Sequence, residues 1–273
     1  MVSLDLYVYI YCRIGSHSFL LYETIPIQGG VLVIGAIMTS IKAENLTIDY
    51  PIFGSSSRSL KKTIVRAATG GKIANDAHGI SIRAIDGISF SFREGERIGL
   101  VGHNGAGKST LLRALAGVYA PTHGSLVVGG SIASLLDISL GMDEEFTGYE
   151  NIFIRCILMG IARSEINKHI EDIIEFSELG EYIQMPMRTY STGMSLRLAF
   201  SICTTFPTDI ILMDEWLAVG DADFSKKAEA RLLEFISKSS ILVLASHKPE
   251  QIQKICTRVL SMDHGHIIKD GLI

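Results

Sequence analysis

Gly102-His103-Asn104-Gly105-Ala106-Gly107-Lys108-Ser109 sets two glycines five positions apart and follows the second with a lysine and a hydroxyl. A triphosphate is a chain of closely spaced anions, and backbone N–H groups can wrap it only where small residues let the main chain come close. The spacing therefore implies a loop that cradles phosphates. Lys108 reaches the β and γ phosphates as a point charge, the Ser109 hydroxyl sits on Mg²⁺, and Thr110 backs it. The helix expected to open at Lys108 turns its positive end toward the same anions. The ligand implied is a nucleoside triphosphate with its magnesium ion.

Two further groups suit the same chemistry. Asp209-Ile210-Ile211-Leu212-Met213 is an apolar, strand-like run that ends in the paired acids Asp214-Glu215. Asp214 would hold Mg²⁺ through its water shell, and Glu215 would orient or deprotonate an attacking water. Ile241-Leu242-Val243-Leu244-Ala245 is a second such run, and Ser246-His247 follows it. Ligands of open α/β sheets sit at the carboxyl ends of strands, so His247 is placed to touch a γ-phosphate. Between the loop and the acids, Ser191-Thr192-Gly193-Met194 opens an amphipathic segment with Leu196, Phe200 and Cys203 on one stripe, and Ser191 reads as its N-cap.

The elements that must position these groups follow from the pattern around them. Arg97-Ile98-Gly99-Leu100-Val101 reads as a buried strand entering the phosphate loop, and Leu111, Leu112 and Leu115 give the helix that leaves it an apolar face. A sheet-rich part covers Ile41 to Pro51 and Ser81 to Val101. The polar, basic and glycine-dotted stretch from Gly54 to Gly79 reads as a surface loop between them. From about Gly141 to Tyr190 the pattern is helical, with Glu150 to Ile161 and Ser164 to Leu179 carrying apolar residues at three- and four-residue spacing. Phe146, Tyr149, Ile152 and Phe153 form an apolar stripe there, readable as internal packing or as a groove for a partner's helix.

The order of phosphate loop, serine-glycine helix start, paired acids and histidine resembles the nucleotide-binding domain of ABC transporters. More narrowly, Tyr190-Ser191-Thr192-Gly193-Met194 with Arg197-Leu198-Ala199-Phe200, and Asp214-Glu215-Trp216-Leu217-Ala218-Val219-Gly220-Asp221, is similar to the ATPase subunit of bacterial polysaccharide, O-antigen and teichoic-acid exporters. The resemblance runs from about Ile41 to the last residue. It implies an α/β fold of the P-loop NTPase, ABC type: a mixed sheet core with an inserted helical subdomain at about 141–200 inside an ATPase domain at 38–273. It implies ATP with Mg²⁺, a homodimer, and a separate polytopic permease, with the chain peripheral on the cytoplasmic face of the bacterial inner membrane. Carried over by position, Tyr50 stacks on adenine, Glu215 is the catalytic base, and His247 senses the γ-phosphate. Ser191, Thr192 and Gly193 meet the opposite subunit's ATP, and Asp221 lies at the dimer interface.

Two departures from the general family pattern stand out. Thr192 and Met194 replace a glycine and a glutamine of the signature, leaving Ser191 and Gly193 to keep the phosphate contacts. The loop Ser134-Leu135-Leu136-Asp137-Ile138 lacks the expected glutamine, and Asp137 is the candidate for its place beside Mg²⁺ or water.

Composition is consistent with this reading. The 273 residues, 47% hydrophobic, suffice for one large domain with a subdomain, and a net charge of −4 offers no nucleic-acid footprint. Cys12, Cys156, Cys203 and Cys256 are too scattered for a zinc site or a disulfide framework, and a reducing compartment is the simplest expectation. Thr24 to Ile41 carries no formal charge, but Pro26, Gln28, Gly29, Gly30 and Gly35 dilute it below a membrane span. Residues 1–37 read instead as an over-called extension, with Met38 the alternative start. Without a span, the path for any cargo must come from another protein. The chain ends just after Met262-Asp263-His264-Gly265-His266, with no appended carbohydrate-binding domain expected. The competing class is a soluble ABC-type ATPase acting on ribosomes or DNA. Its repair members carry a long coiled coil and its ribosomal members usually two such domains, whereas no heptad tract occurs here. A non-hydrolysing scaffold should have lost Lys108 or Glu215, and both are present.

Overall fold

In the computed structural model, residues 39–51, 72–76, 79–216 and 222–273 are described. The possible start at Met38, most of the 54–79 stretch and Asp221 lie outside them. The described residues divide into two compact units: those within 39–132, 209–215 and 240–273 form the first, those within 133–208 and 216–239 the second.

The first unit contains the sheets. In one, β1 (Ser40–Pro51), β2 (Lys72–Asp76), β3 (Gly79–Arg93) and β5 (His123–Gly129) take the order β2-β3-β1-β5. It is antiparallel, with Ile41 opposite Phe92 and Val128. The surface-loop reading of Gly54 to Gly79 fails at β2, whose backbone pairs Ile73 with Ile82. That pairing is supplied by β3, so the local composition of the stretch does not announce it.

The other sheet holds β4 (Arg97–Val101), β7 (Ile210–Asp214), β8 (Ile241–Ala245), β9 (Arg258–Asp263) and β10 (His266–Leu272), in the order β10-β9-β4-β8-β7. Strands β9, β4, β8 and β7 are parallel, and β10 closes the edge antiparallel to β9. Ile210 to Met213 and Ile241 to Ala245 have no exposed surface, as continuous apolar runs require when both faces of a sheet are covered. Because β4, β7 and β8 run the same way, the residues just after Val101, Met213 and Ala245 gather at one edge. Helix α1 (Lys108–Leu115) starts there and buries Leu111, Leu112 and Leu115, while α6 (Pro249–Ile255) follows β8 with Ile252 buried. Strand β6 (Ile132–Leu135) leads out of this unit.

The second unit is built from α2 (Gly148–Leu158), α3 (Arg163–Ser177), α4 (Thr192–Thr205) and α5 (Ala222–Lys238). Ile152, Cys156, Ile166, Ile173, Leu198, Ile202 and Phe206 share its core. The stretch read as helical from about Gly141 to Tyr190 holds α2 and α3, while α4 follows it to Thr205 and α5 adds a later stretch. Helix α2 begins at Gly148, before the expected Glu150, because Thr147 caps it: the Thr147 hydroxyl accepts from the Glu150 N–H, and the Glu150 carboxylate accepts from the Thr147 N–H at 2.9 Å. Helix α3 stops at Ser177 because Glu178 takes a left-handed conformation, φ 56°. Ile152, read as part of a possible groove, is wholly buried in the core. Phe146 and Tyr149 are exposed, and Tyr149 packs on Phe153 with ring centres 5.4 Å apart.

Candidate functional site

The phosphate loop takes its shape from two close approaches. A Cβ on Gly102 would lie 2.3 Å from the Met262 carbonyl oxygen, so only glycine lets the loop pass β9. Gly107, with φ 106°, is the N-cap of α1, and a Cβ there would meet the Ala84 carbonyl oxygen at 2.9 Å. Ala106 is fully buried, donating to the His103 carbonyl and accepting from the Gly265 N–H at 3.0 Å. His103, Asn104 and Gly105 face solvent around this anchor. The Lys108 ammonium turns back on the loop, donating to the carbonyls of Gly102 at 2.8 Å and His103 at 3.0 Å. Burial lowers its pKa, while Asp214 and Glu215 oppose that shift. A cation held this way by loop carbonyls is poised to exchange them for phosphate oxygens.

The Ser109 hydroxyl donates to Asp214 Oδ2 at 2.5 Å, joining α1 to the end of β7. A hydroxyl and a carboxylate side by side are hard oxygen donors, which fits the preference of Mg²⁺. Glu215, next along, has φ 74° and donates its N–H to the Ala245 carbonyl at 2.8 Å. This left-handed turn detaches its carboxylate from the strand into solvent. His247 Nε2 lies 4.0 Å from Glu215 Oε1. Ser246 is buried: its hydroxyl donates to Gln251 Oε1 at 2.9 Å and accepts from the Lys248 N–H at 3.1 Å, fixing the turn that presents His247.

Tyr50 stands at the end of β1. Its hydroxyl donates to Thr110 Oγ1 at 3.1 Å, and its ring meets Tyr119 edge-on with centres 5.0 Å apart. Burial pushes the Tyr50 phenol up to about 12, which keeps it a neutral donor. Thr110, expected to back Ser109, is thus engaged with the aromatic residue. Tyr119 and Gln251 escaped the sequence reading; an aromatic just after a helix and a glutamine inside one are common, and only the fold brings them to Tyr50 and Ser246.

Residues 85–218 match the family described as ABC transporter. The O-antigen export system ATP-binding protein RfbE of Yersinia enterocolitica is 42% identical over 236 residues, 86% of this chain and 99% of that protein. The chain belongs to the ABC transporter family. An O-antigen export system ATP-binding protein RfbB of Klebsiella pneumoniae is 38% identical over 231 residues, covering 85% of this chain and 93% of that one. The teichoic acids export ATP-binding protein TagH of Listeria innocua is 39% identical over 191 residues, 70% of this chain but 57% of its own length. Among solved structures, an ATP-binding subunit of an ABC transporter superposes with a TM-score of 0.62 at 17% identity, over 85% of this chain and 90% of that one. A dimeric ATP-binding cassette in a post-hydrolysis state, bound to ADP and phosphate, gives 0.61 at 18% identity, over 85% and 98%. These last two likenesses establish the fold.

The remaining family positions lie in the second unit. Ser191 is the N-cap of α4, its hydroxyl accepting from the Met194 N–H at 3.2 Å. Thr192 is exposed and Gly193 half-exposed. A Cβ on Gly193 would meet only Ser191 Oγ, at 3.8 Å, so packing within the chain does not demand a glycine there. Met194, in the glutamine's place, packs against the helical core. Asp137 is exposed, in a turn where its carbonyl accepts from the Leu140 N–H.

Proposed function

We propose that this chain is the ATP-hydrolysing subunit of an ABC exporter that moves a lipid-linked cell-surface polysaccharide, such as O-antigen, capsule or teichoic acid, across the cytoplasmic membrane. The observation that carries the catalytic half is the gathering of Lys108, the Ser109–Asp214 pair, Glu215 and His247 at one edge of the parallel strands, with His247 4.0 Å from Glu215. The cargo class is supported by the relatives named for O-antigen and teichoic-acid export.

In this reading the adenine stacks on Tyr50 and the phosphates lie along residues 102–109, where Lys108 leaves the loop carbonyls for the β and γ oxygens. Ser109 and Asp214 hold Mg²⁺, which when bound offsets the charge on those oxygens. Glu215 orients the attacking water and accepts its proton, and His247 contacts the γ-phosphate. Phosphoryl transfer asks for positioning and charge neutralisation more than covalent chemistry, and these groups supply both. Two copies assemble head to tail, each offering Ser191, Thr192 and Gly193 to the other's ATP. The open space at Gly193 favours that role. A separate polytopic permease provides the path, the chain sitting peripherally on the cytoplasmic face, with Phe146, Tyr149 and Phe153 as its contact.

The test is affinity purification of the tagged native protein from detergent-solubilised membranes, with ATP turnover measured on the product. Recovery of a polytopic protein together with Mg²⁺-dependent turnover is expected. A ribosome- or DNA-bound preparation lacking such a partner would favour the soluble-ATPase class instead.

A further inference from the structure

Three side chains converge beside the phosphate loop, all within the first unit. His103 is the loop's second residue, while Asp263 and His264 form the turn between β9 and β10. His103 Nε2 lies 2.8 Å from Asp263 Oδ1, and His264 Nδ1 lies 2.9 Å from the same oxygen. The imidazole centres are 4.7 Å apart, and one ligating atom from each of the three residues falls within 4.8 Å of the others.

The far nitrogen of His103 constrains the near one. Nδ1 lies 2.7 Å from the Asn104 carbonyl oxygen and Nε2 faces the Asp263 carboxylate; both oxygens only accept, while a neutral ring has one proton to give. With that proton on Nδ1, the Nε2 lone pair faces the carboxylate, and a metal ion between them satisfies both contacts. A carbonyl bond to the distal nitrogen is the arrangement that orients metal-ligating histidines. Two imidazoles and one carboxylate form a donor set for Zn²⁺ and its neighbours rather than for Mg²⁺ or Ca²⁺. Bond lengths of about 2.0–2.2 Å in a tetrahedral site set neighbouring donors roughly 3.3–3.5 Å apart. Each histidine nitrogen must therefore move about half an ångström away from Asp263 Oδ1. The side chains, 44%, 45% and 51% exposed, have room for it, and the solvent side leaves a fourth position for water.

We propose that His103, Asp263 and His264 bind a zinc-class divalent metal ion, with water as the fourth ligand, tying the second residue of the phosphate loop to the β9–β10 turn. The proposal does not depend on ATP turnover.

The test titrates the nucleotide-free full chain with Zn²⁺ by calorimetry and with Co²⁺ by visible absorption, comparing wild type, Asp263→Asn and His264→Asn. Asparagine is chosen at position 264 because the backbone there is left-handed, φ 45°, which asparagine tolerates. Melting curves without metal verify that both variants are folded. One ion bound at micromolar Kd in the wild type, without a thiolate charge-transfer band and weakened about ten-fold or more in both variants, is the expected result. Equal affinity in all three proteins, or no wild-type binding below millimolar Zn²⁺, overturns the proposal and leaves a hydrogen-bonded cluster only.

Discussion

Tyr50 shows how one side chain can serve two partners at once. Its hydroxyl is held by Thr110, the residue after the proposed magnesium ligand Ser109, while its ring is steadied by Tyr119. Base–aromatic stacking is worth about 1–3 kcal/mol, so Tyr50→Ala should weaken ATP binding about ten-fold or more, whereas Tyr50→Phe, which keeps the ring, should change it only a few-fold. Titration with a fluorescent ATP analogue distinguishes the two, and equal losses would show that the hydroxyl, not the ring, matters. At this scale the sequence was legible wherever chemistry fixes a residue type in a contiguous run, as at Lys108, Ser109 and the Asp214-Glu215 pair. It was silent where partners are far apart in the chain: His103 and Asp263 are 160 positions apart. Nor did it announce the left-handed turn at Glu215, because a glutamate after a strand gives no local signal for φ 74°.

The helices and strands set the geometry that those residues use. Thr147 and Glu150 cap α2 reciprocally, so Thr147→Ala should destabilise the protein by about 0.5–2 kcal/mol, read as a shift in the urea midpoint. The edge strand β10 is tied to β9 by Arg258, which donates to both Asp270 oxygens at 2.7 and 2.6 Å. Hydrogen bonds from Arg258 hold the Asp270 carboxyl below its usual value, with burial opposing. A depressed carboxylate contributes stability above its unfolded pKa, about 3.9, and loses it as pH falls through the lower folded value. Asp270→Asn should therefore lower stability at neutral pH and flatten the acid limb below about pH 4 in denaturation curves taken across pH. An unchanged acid limb would place the acid sensitivity elsewhere. Strands β4, β7 and β8 were readable as unbroken apolar runs, and the N-cap at Ser191 from its residue type. Strand β2 was not readable, because its pairing partner rather than its own composition makes it a strand.

Across the molecule, the described cysteines Cys156, Cys203 and Cys256 are unpaired and buried, and burial pushes the thiols of Cys156 and Cys256 up to about 12. They are packed in the interior. No helix among the described residues is long and apolar enough to cross a membrane. The signature segment, with Met194 turned into the helical core and Gly193 left open, fits a surface that meets a second copy. In the proposed mechanism Glu215 activates water on an ATP bound at Lys108. Steady-state ATP hydrolysis by wild type and Glu215→Gln at saturating Mg²⁺–ATP, with retained nucleotide and dimer measured by gel filtration, tests it most directly. The variant is expected to turn over about 10²–10⁴-fold more slowly, the size of loss expected for removing a general base, and to elute as a dimer with uncleaved ATP. Turnover at the wild-type rate by Glu215→Gln would contradict it.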